Sequence, residues 1–195
     1  MSKKCYRFFG GLLNTQEKWL NKMSEKGYRL VRTGKLLYEF EKCKPDEVTY
    51  CVEFIGEKSK DNATDYANFL EDMGYKVFFK TNNLNYSVEK VRWRPWAERG
   101  GRIATNTTTF NREILIVEKA NDGKPFELHT SYDDKEKYYR NLRNPWLFLL
   151  LMFALFAVTK QSIIFGIFAL VSVIPGSIYQ IQIMKIRKEA KTQEW

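Results

Sequence analysis

The sequence predicts an α+β fold: duplicated strand-helix-strand-strand units forming a mainly antiparallel sheet with helices on one face, followed by a C-terminal two-helix transmembrane hairpin. Three observations carry that prediction. Two amphipathic stretches end in Gly27-Tyr28 and Gly74-Tyr75 and run on into β-rich segments. Each is flanked by short apolar runs of strand character. Two uncharged apolar stretches, 145–159 and 162–184, then follow with little more than Lys160 and Gln161 between them.

Residues 4–9 read as the first strand, ending at Phe9-Gly10. Asn14-Thr-Gln-Glu17 offers a capping box, with Asn14 as N-cap and Glu17 reaching back. Trp19, Leu20 and Met23 form the apolar stripe of this helix, and Gly27 takes the left-handed position that closes it. A strand over 29–32, a Thr33-Gly34 turn and a strand over 35–43 complete the unit. The turn Lys44-Pro45-Asp46 predicts a hairpin with the next strand, 48–55, opposing Phe40 to Tyr50 and Tyr38 to Val52. In the second unit Asp61 or Asn62 caps a helix with the stripe Tyr66, Phe69, Leu70 and Met73. Gly74 closes that helix, and strands over 76–79 and 84–91 flank Asn82-Asn83. Beyond lie a basic aromatic loop over 92–102, a strand over 113–118, a turn over 121–125 and a short strand over 126–130.

The domain organisation follows. Residues 1–130 form a cytoplasmic α+β domain, with repeat units at about 4–43 and 48–91 and an extra loop and strand over 92–130. Residues 131–144 are a juxtamembrane helix capped by Ser131 or Asp133, 145–184 the transmembrane hairpin and 185–195 a basic cytoplasmic tail. The second apolar stretch has the roughly 20 residues that cross a bilayer. The first, about 15 residues or ~22 Å of helix, needs Arg143 and Lys160 to snorkel at its two ends or the bilayer to thin locally. Trp146 and Tyr179 suit the headgroup level, and Pro175-Gly176 predicts a kink. Lys135, Lys137, Arg140 and Arg143 precede the hairpin, and Lys185, Arg187, Lys188 and Lys191 follow it. That asymmetry orients a multi-pass cell-membrane protein with both ends cytoplasmic.

The formal net charge is +9 over 195 residues, and the basic flanks account for part of it. Residues 1–10 carry no apolar run long enough for a secretory signal, because Arg7 interrupts it. The glycosylation sequons at Asn62, Asn85 and Asn106 read as chance matches in a cytoplasmic domain. Cys5, Cys43 and Cys51 lack metal-site spacing and read as free structural thiols.

Chemistry is sparse. His129 is the single histidine, and there is no phosphate-binding glycine loop or nucleophile elbow. Glu39, Glu41 and Glu53 read as the solvated face of a strand pair. No catalytic residue, metal site or cofactor is assigned. Arg92, Trp93, Arg94, Trp96, Arg99 and Arg102 form the one surface constellation. It reads as tryptophans packed over a sheet edge, or as a contact for lipid headgroups or a partner; nucleic acid is not expected.

Phe8-Phe9-Gly10, Glu17-Lys-Trp-Leu-x-x-Met23, Gly27-Tyr28, Tyr38-Glu-Phe40, Tyr50-x-Val-Glu-Phe54 and Phe69-Leu-Glu-Asp-Met-Gly74 resemble a bacterial family of unknown function, DUF2812, over roughly residues 3–143. The resemblance implies a Firmicutes origin, a membrane hairpin as a common appendage, and genes often encoded beside PadR-type regulators. It implies no activity and no catalytic residues, and shorter members lack the 92–125 stretch. The paired units also resemble the effector-binding domains of the GyrI-like class, whose ligands sit in the groove between units. On that analogy Trp19, Tyr28, Tyr38, Tyr66 and Tyr75 line a groove. The expected function is a membrane-anchored cytoplasmic binding or regulatory module without catalysis. Its alternatives are a protein-docking subunit of a membrane regulator or transporter complex, and an uncharacterised enzyme.

Overall fold

In the computed structural model of the chain, residues 2–81, 84, 86–88, 91–94, 103–104, 112–126, 128 and 132–193 are described. Two compact units emerge, residues 1–94 with 99–129, and residues 95–98 with 130–195.

The first unit contains β1 (Lys3–Tyr6), α1 (Leu13–Glu25), β2 (Tyr28–Thr33), β3 (Leu37–Lys42), β4 (Val48–Phe54), α2 (Lys60–Asp72) and β5 (Lys76–Lys80). The short strands β6 (Tyr86–Val88), β7 (Val91–Trp93) and β8 (Ile103–Ala104) and the long β9 (Ile114–Ala120) follow. Where one sheet is expected, the strands form separate antiparallel sheets of order β1-β3-β2 and β4-β9-β5, with a small β6-β7-β8 ribbon besides. The two main sheets share one plan. A strand-helix-strand segment leaves its strands apart, and a third strand fills the gap antiparallel to both. In the first sheet that strand is β3, the next along the chain. In the second it is β9, so the strand expected over 84–91 does not complete the unit; β6 pairs with β7 instead.

The predicted β3–β4 hairpin does not form, because both strands are otherwise engaged. β3 lies between β1 and β2, with Phe40 opposite Lys3 and Leu30. β4 pairs along one edge with β9, Val52 opposite Ile116. Its other edge is covered by α1. Asn21 accepts from Tyr50 N at 2.8 Å and donates to Tyr50 O at 3.0 Å, while Glu17 accepts from Val52 N at 2.9 Å. Ser24 Oγ donates to Val48 O. Residues 17, 21 and 24 recur along one helix face, and 48, 50 and 52 present main-chain groups to one strand edge. The helix rises about 10 Å over this stretch and the strand about 13 Å. The long Glu17 side chain at one end and the short Ser24 at the other absorb the mismatch.

This also explains the missing capping box. α1 begins at Leu13 behind Leu12, with no side-chain cap, because Glu17 is committed to β4. α2 is capped by Ser59, whose hydroxyl accepts from Asn62 N at 3.2 Å, two or three residues ahead of the expected caps. The buried face of α2 is Ala63, Ala67 and Leu70, whereas Phe69 and Met73 are exposed. Leu115 and Val117 of β9 pack under it with Ile55. Phe126 and Leu128 pack against the same cluster without forming a strand, and His129 and Thr130 lie outside the described residues. The three cysteines are free thiols, as expected.

A second polar bridge links the sheets. Arg29 of β2 donates to Glu118 Oε1 of β9 from Nε at 2.8 Å and from Nη2 at 2.7 Å. Tyr50 Oη donates to Glu118 Oε2 at 2.8 Å and accepts from Leu30 N at 2.7 Å. Both oxygens of this buried carboxylate are occupied, which is what makes its burial tolerable. Glu53, expected on a solvated face, is buried beneath α2 and accepts from Tyr66 Oη at 2.8 Å.

The second unit is α3 (Tyr132–Thr159) packed antiparallel on α4 (Ile163–Gln193). Pro145 and Pro175 both lie inside continuous helices, so the expected juxtamembrane helix and first apolar stretch are one element. Ser131 lies outside the described residues. On α4 the buried positions are Ala169, Ser172, Gly176, Tyr179, Ile183 and Ile186, alternating at three- and four-residue spacing as in a coiled-coil seam. Tyr179 therefore faces the seam, 6.4 Å from the Tyr139 ring, rather than a headgroup layer. Arg143 Nη1 donates to Gln180 Oε1 at 2.7 Å and Arg187 Nη2 to Glu136 Oε1 at 2.7 Å.

Two stability outcomes follow from the first unit. Asn21→Ala should cost about 2 kcal/mol in denaturant unfolding, because it exposes no new partner for either buried Tyr50 main-chain group; Lys18→Ala, on the exposed side of α1, should cost under about 0.5 kcal/mol. Gly27 and Gly74 match in sequence but not in constraint. Both have positive φ, +74° and +85°, yet a Cβ at Gly27 would lie 2.9 Å from Cys43 O, while Gly74 faces open space. Gly74→Ala should cost about 1 kcal/mol from backbone strain alone, and Gly27→Ala measurably more in the same assay.

Candidate functional site

The aromatic residues nominated for a groove separate into different places. Tyr28 is half-buried under Lys3, whose Nζ sits 4.4 Å from the ring centroid. Tyr66 and Tyr75 border the core beneath α2, Tyr75 lying 5.4 Å from Phe126. Burial raises the Tyr66 phenol well above its usual range, and the Glu53 charge adds to this. Only Trp19 and Tyr38 come together, with ring centroids 4.9 Å apart and planes at 74°. Phe9 completes the group, 5.4 Å from Trp19 and 5.9 Å from Tyr38.

Polar groups missed at the sequence level surround this trio. The Arg7 guanidinium lies 5.3 Å from both the Phe9 and the Trp19 centroids. Arg7 is held there by its N–H, which donates to Leu36 O at 2.9 Å. Lys80, at the end of β5, places Nζ 4.4 Å from the Tyr38 centroid. That ammonium donates to Gly34 O at 2.7 Å and Lys35 O at 2.9 Å. Neither Arg7 nor Lys80 has a carboxylate partner among the described residues. Gln16 sits one helical turn before Trp19, so both project from the same side of α1.

Two buried polar atoms here have no hydrogen-bond partner among the described residues, Tyr38 Oη and Gln16 Nε2. The residues are 0 % and 2 % exposed. Each such orphan costs about 1–3 kcal/mol. Burial holds the Tyr38 phenol far above its usual range, with the Arg7 charge opposing only in part. Burial also pulls Lys80 down to about 8, although it is only 4 % exposed and keeps two carbonyl acceptors. Gln16 had a sequence signal: Leu13, Gln16, Leu20 and Met23 share one buried stripe, and a glutamine inside such a stripe is conspicuous. Lys80 and Arg7 had none, since strand lysines and arginines usually point to water.

The arginine-tryptophan constellation is only partly described. Arg92 and Trp93 belong to β7, and Arg94 follows it, buried. Trp96, Arg99 and Arg102 lie outside the described residues. Among the described residues no three His, Cys, Asp or Glu side chains are placed to hold a metal ion. In the second unit α3 and α4 are both long and apolar enough to cross a membrane. Leu147, Leu151, Leu155, Ile167, Leu170 and Ile174 are among the large apolar side chains they leave exposed.

The comparisons with known proteins give one match. A family model described as a protein of unknown function (DUF2812) matches residues 13–151. No curated protein and no solved structure matches the chain.

Lys80 carries a pH signature. The unfolded lysine holds its proton to 10.5 and the folded one only to about 8. Between these values the unfolded state binds more protons, so stability rises with pH. Relative to Lys80→Met, the native protein should gain thermal midpoint as pH is raised from 8 towards 10; parallel curves for the two proteins would show that Lys80 is not titrating there.

Proposed function

The chain belongs to DUF2812, a family of unknown function, and from that premise we propose a membrane-anchored binding module that senses a small ligand at the Trp19–Tyr38 cluster and catalyses no reaction. One observation carries the proposal: Tyr38 Oη and Gln16 Nε2 are buried without partners beside three packed aromatic rings. Native proteins seldom leave such groups unsatisfied, and where they do a ligand or water commonly completes them. Elsewhere in the same unit the buried Glu118 has both carboxylate oxygens engaged.

The anchor rests on the exposed apolar faces of α3 and α4 and on the basic residues at one end of both helices. Arg140, Arg143, Lys185 and Arg187 gather there, and only Lys160 lies at the turn. That distribution favours a hairpin with its basic end in the cytoplasm. The sensing unit would then work beside the inner leaflet, where a tether raises its effective concentration for amphipathic ligands and membrane proteins. A regulator of the PadR class is one such partner in this reading.

Two measurements test it. The full chain should remain in the membrane pellet after alkaline carbonate extraction; release into the supernatant would remove the anchor. Tryptophan fluorescence of the detergent-solubilised chain should be quenched saturably by at least one member of a varied panel of small amphiphiles. Quenching should be lost in Trp19→Phe, and a flat response across the panel would remove the sensing role.

A further inference from the structure

We propose that the Trp19–Tyr38 cluster is a site for a small organic anion, an aromatic carboxylate in chemical class, its acidic end met by Arg7, Gln16, Tyr38 and the first turn of α1, its ring by Phe9 and Trp19. The inference rests on the sensing role proposed above and assigns the ligand's charge and shape.

The unspent hydrogen-bonding capacity of the cluster is donor-rich. The Gln16 amide nitrogen can only donate, and the Tyr38 hydroxyl has a proton to give. The two fixed charges are both positive, Arg7 over Phe9 and Trp19, and Lys80 over Tyr38. With no carboxylate paired to either among the described residues, the cluster holds two uncompensated positive charges, exposed at Arg7 and buried at Lys80. A cationic ligand would add to the positive charge, whereas an oxyanion offsets it and accepts from both donors.

The helix end points the same way. α1 is 13 residues long, its N-terminus has no side-chain cap and its first turn has no acidic residue. The positive end of its dipole is therefore unopposed by charge of its own. Gln16, nine-tenths buried and unpartnered at Nε2, belongs to that same first turn. The chain enters it through Phe9, whose carbonyl accepts from Leu12 N at 3.1 Å. This short link puts the Phe9 ring beside the helix end, so acidic end and apolar body would find their counterparts within one turn of helix.

The edge-to-face arrangement of Trp19 against Tyr38 and Phe40, at 74° and 78°, fixes the indole plane from one side. Arg7 and Phe9 form the more solvent-facing boundary, Arg7 being exposed and Phe9 half-buried. Gly10 and Gly11 follow, both at positive φ, 58° and 75°. Glycine adopts that region without the strain a side chain would meet there.

The test uses the full chain in detergent, titrated calorimetrically with benzoate, benzamide and benzylamine, which share a ring and differ in charge. Benzoate should bind saturably, benzamide about tenfold more weakly, and benzylamine not measurably. Arg7→Gln, at an exposed position and with an unchanged thermal midpoint, should weaken benzoate about tenfold; Tyr38→Phe should do the same if folded. Benzamide or benzylamine binding as tightly as benzoate would overturn the anion assignment and leave the sensing role standing. Binding by none of the three, with water bridging Gln16 and Tyr38 in a high-resolution structure, would overturn both.

Discussion

The outer edge of β4 is the constraint on which the α+β unit is built. An edge strand offers unpaired N–H and C=O groups, and the usual solution is another strand. Here Glu17, Asn21 and Ser24 supply the acceptors and donors from a helix face. That choice sends β3 back into its own sheet and leaves β9 as the single strand partner of β4. It also orients α1, because three side chains spaced over two helical turns can meet alternate strand residues in only one direction. Trp19 then projects away from β4, towards Tyr38.

The unit contains two contrasting polar clusters. Around Glu118 a carboxylate, a guanidinium, a phenol and a main-chain amide satisfy one another with every distance between 2.7 and 2.8 Å. Such a closed network specifies how β2 meets the second sheet and has nothing left to offer a ligand. Around Tyr38 the nearby charges, Arg7 and Lys80, are of one sign, and the Tyr38 hydroxyl and the Gln16 amide nitrogen have no hydrogen-bond partner among the described residues.

Much of the local structure was legible in the sequence. Both helices, their closing glycines and the two apolar segments follow from periodicity and from the backbone freedom of glycine at +74° and +85°. The pairing of strands was not legible, since β4 and β9 are separated by the whole of α2, β5 and the small ribbon, and only tertiary packing joins them. A hairpin through Lys44-Pro45-Asp46 satisfied every local rule and lost to side chains from α1. The Asn14 capping box failed for the same reason, Glu17 having a stronger claim elsewhere. Of the site, the aromatic members were visible as types but not as neighbours. Gln16 could have been found as the polar member of an apolar stripe, while Arg7 and Lys80 acquire meaning only from their surroundings.

The α3–α4 pair is keyed at one end. Arg143 with Gln180, and Glu136 with Arg187, fix the two helices lengthwise. The opposite half is held by side chains such as Phe153, Phe165 and Ala169, which carry no directional bonds. A slip by one helical turn would strand a guanidinium while hardly troubling the greasy half. The hairpin thus resembles a bolt whose thread is cut only near its head. Evolution is free to lengthen, shorten or reshape the smooth shank without disturbing the alignment of the polar end.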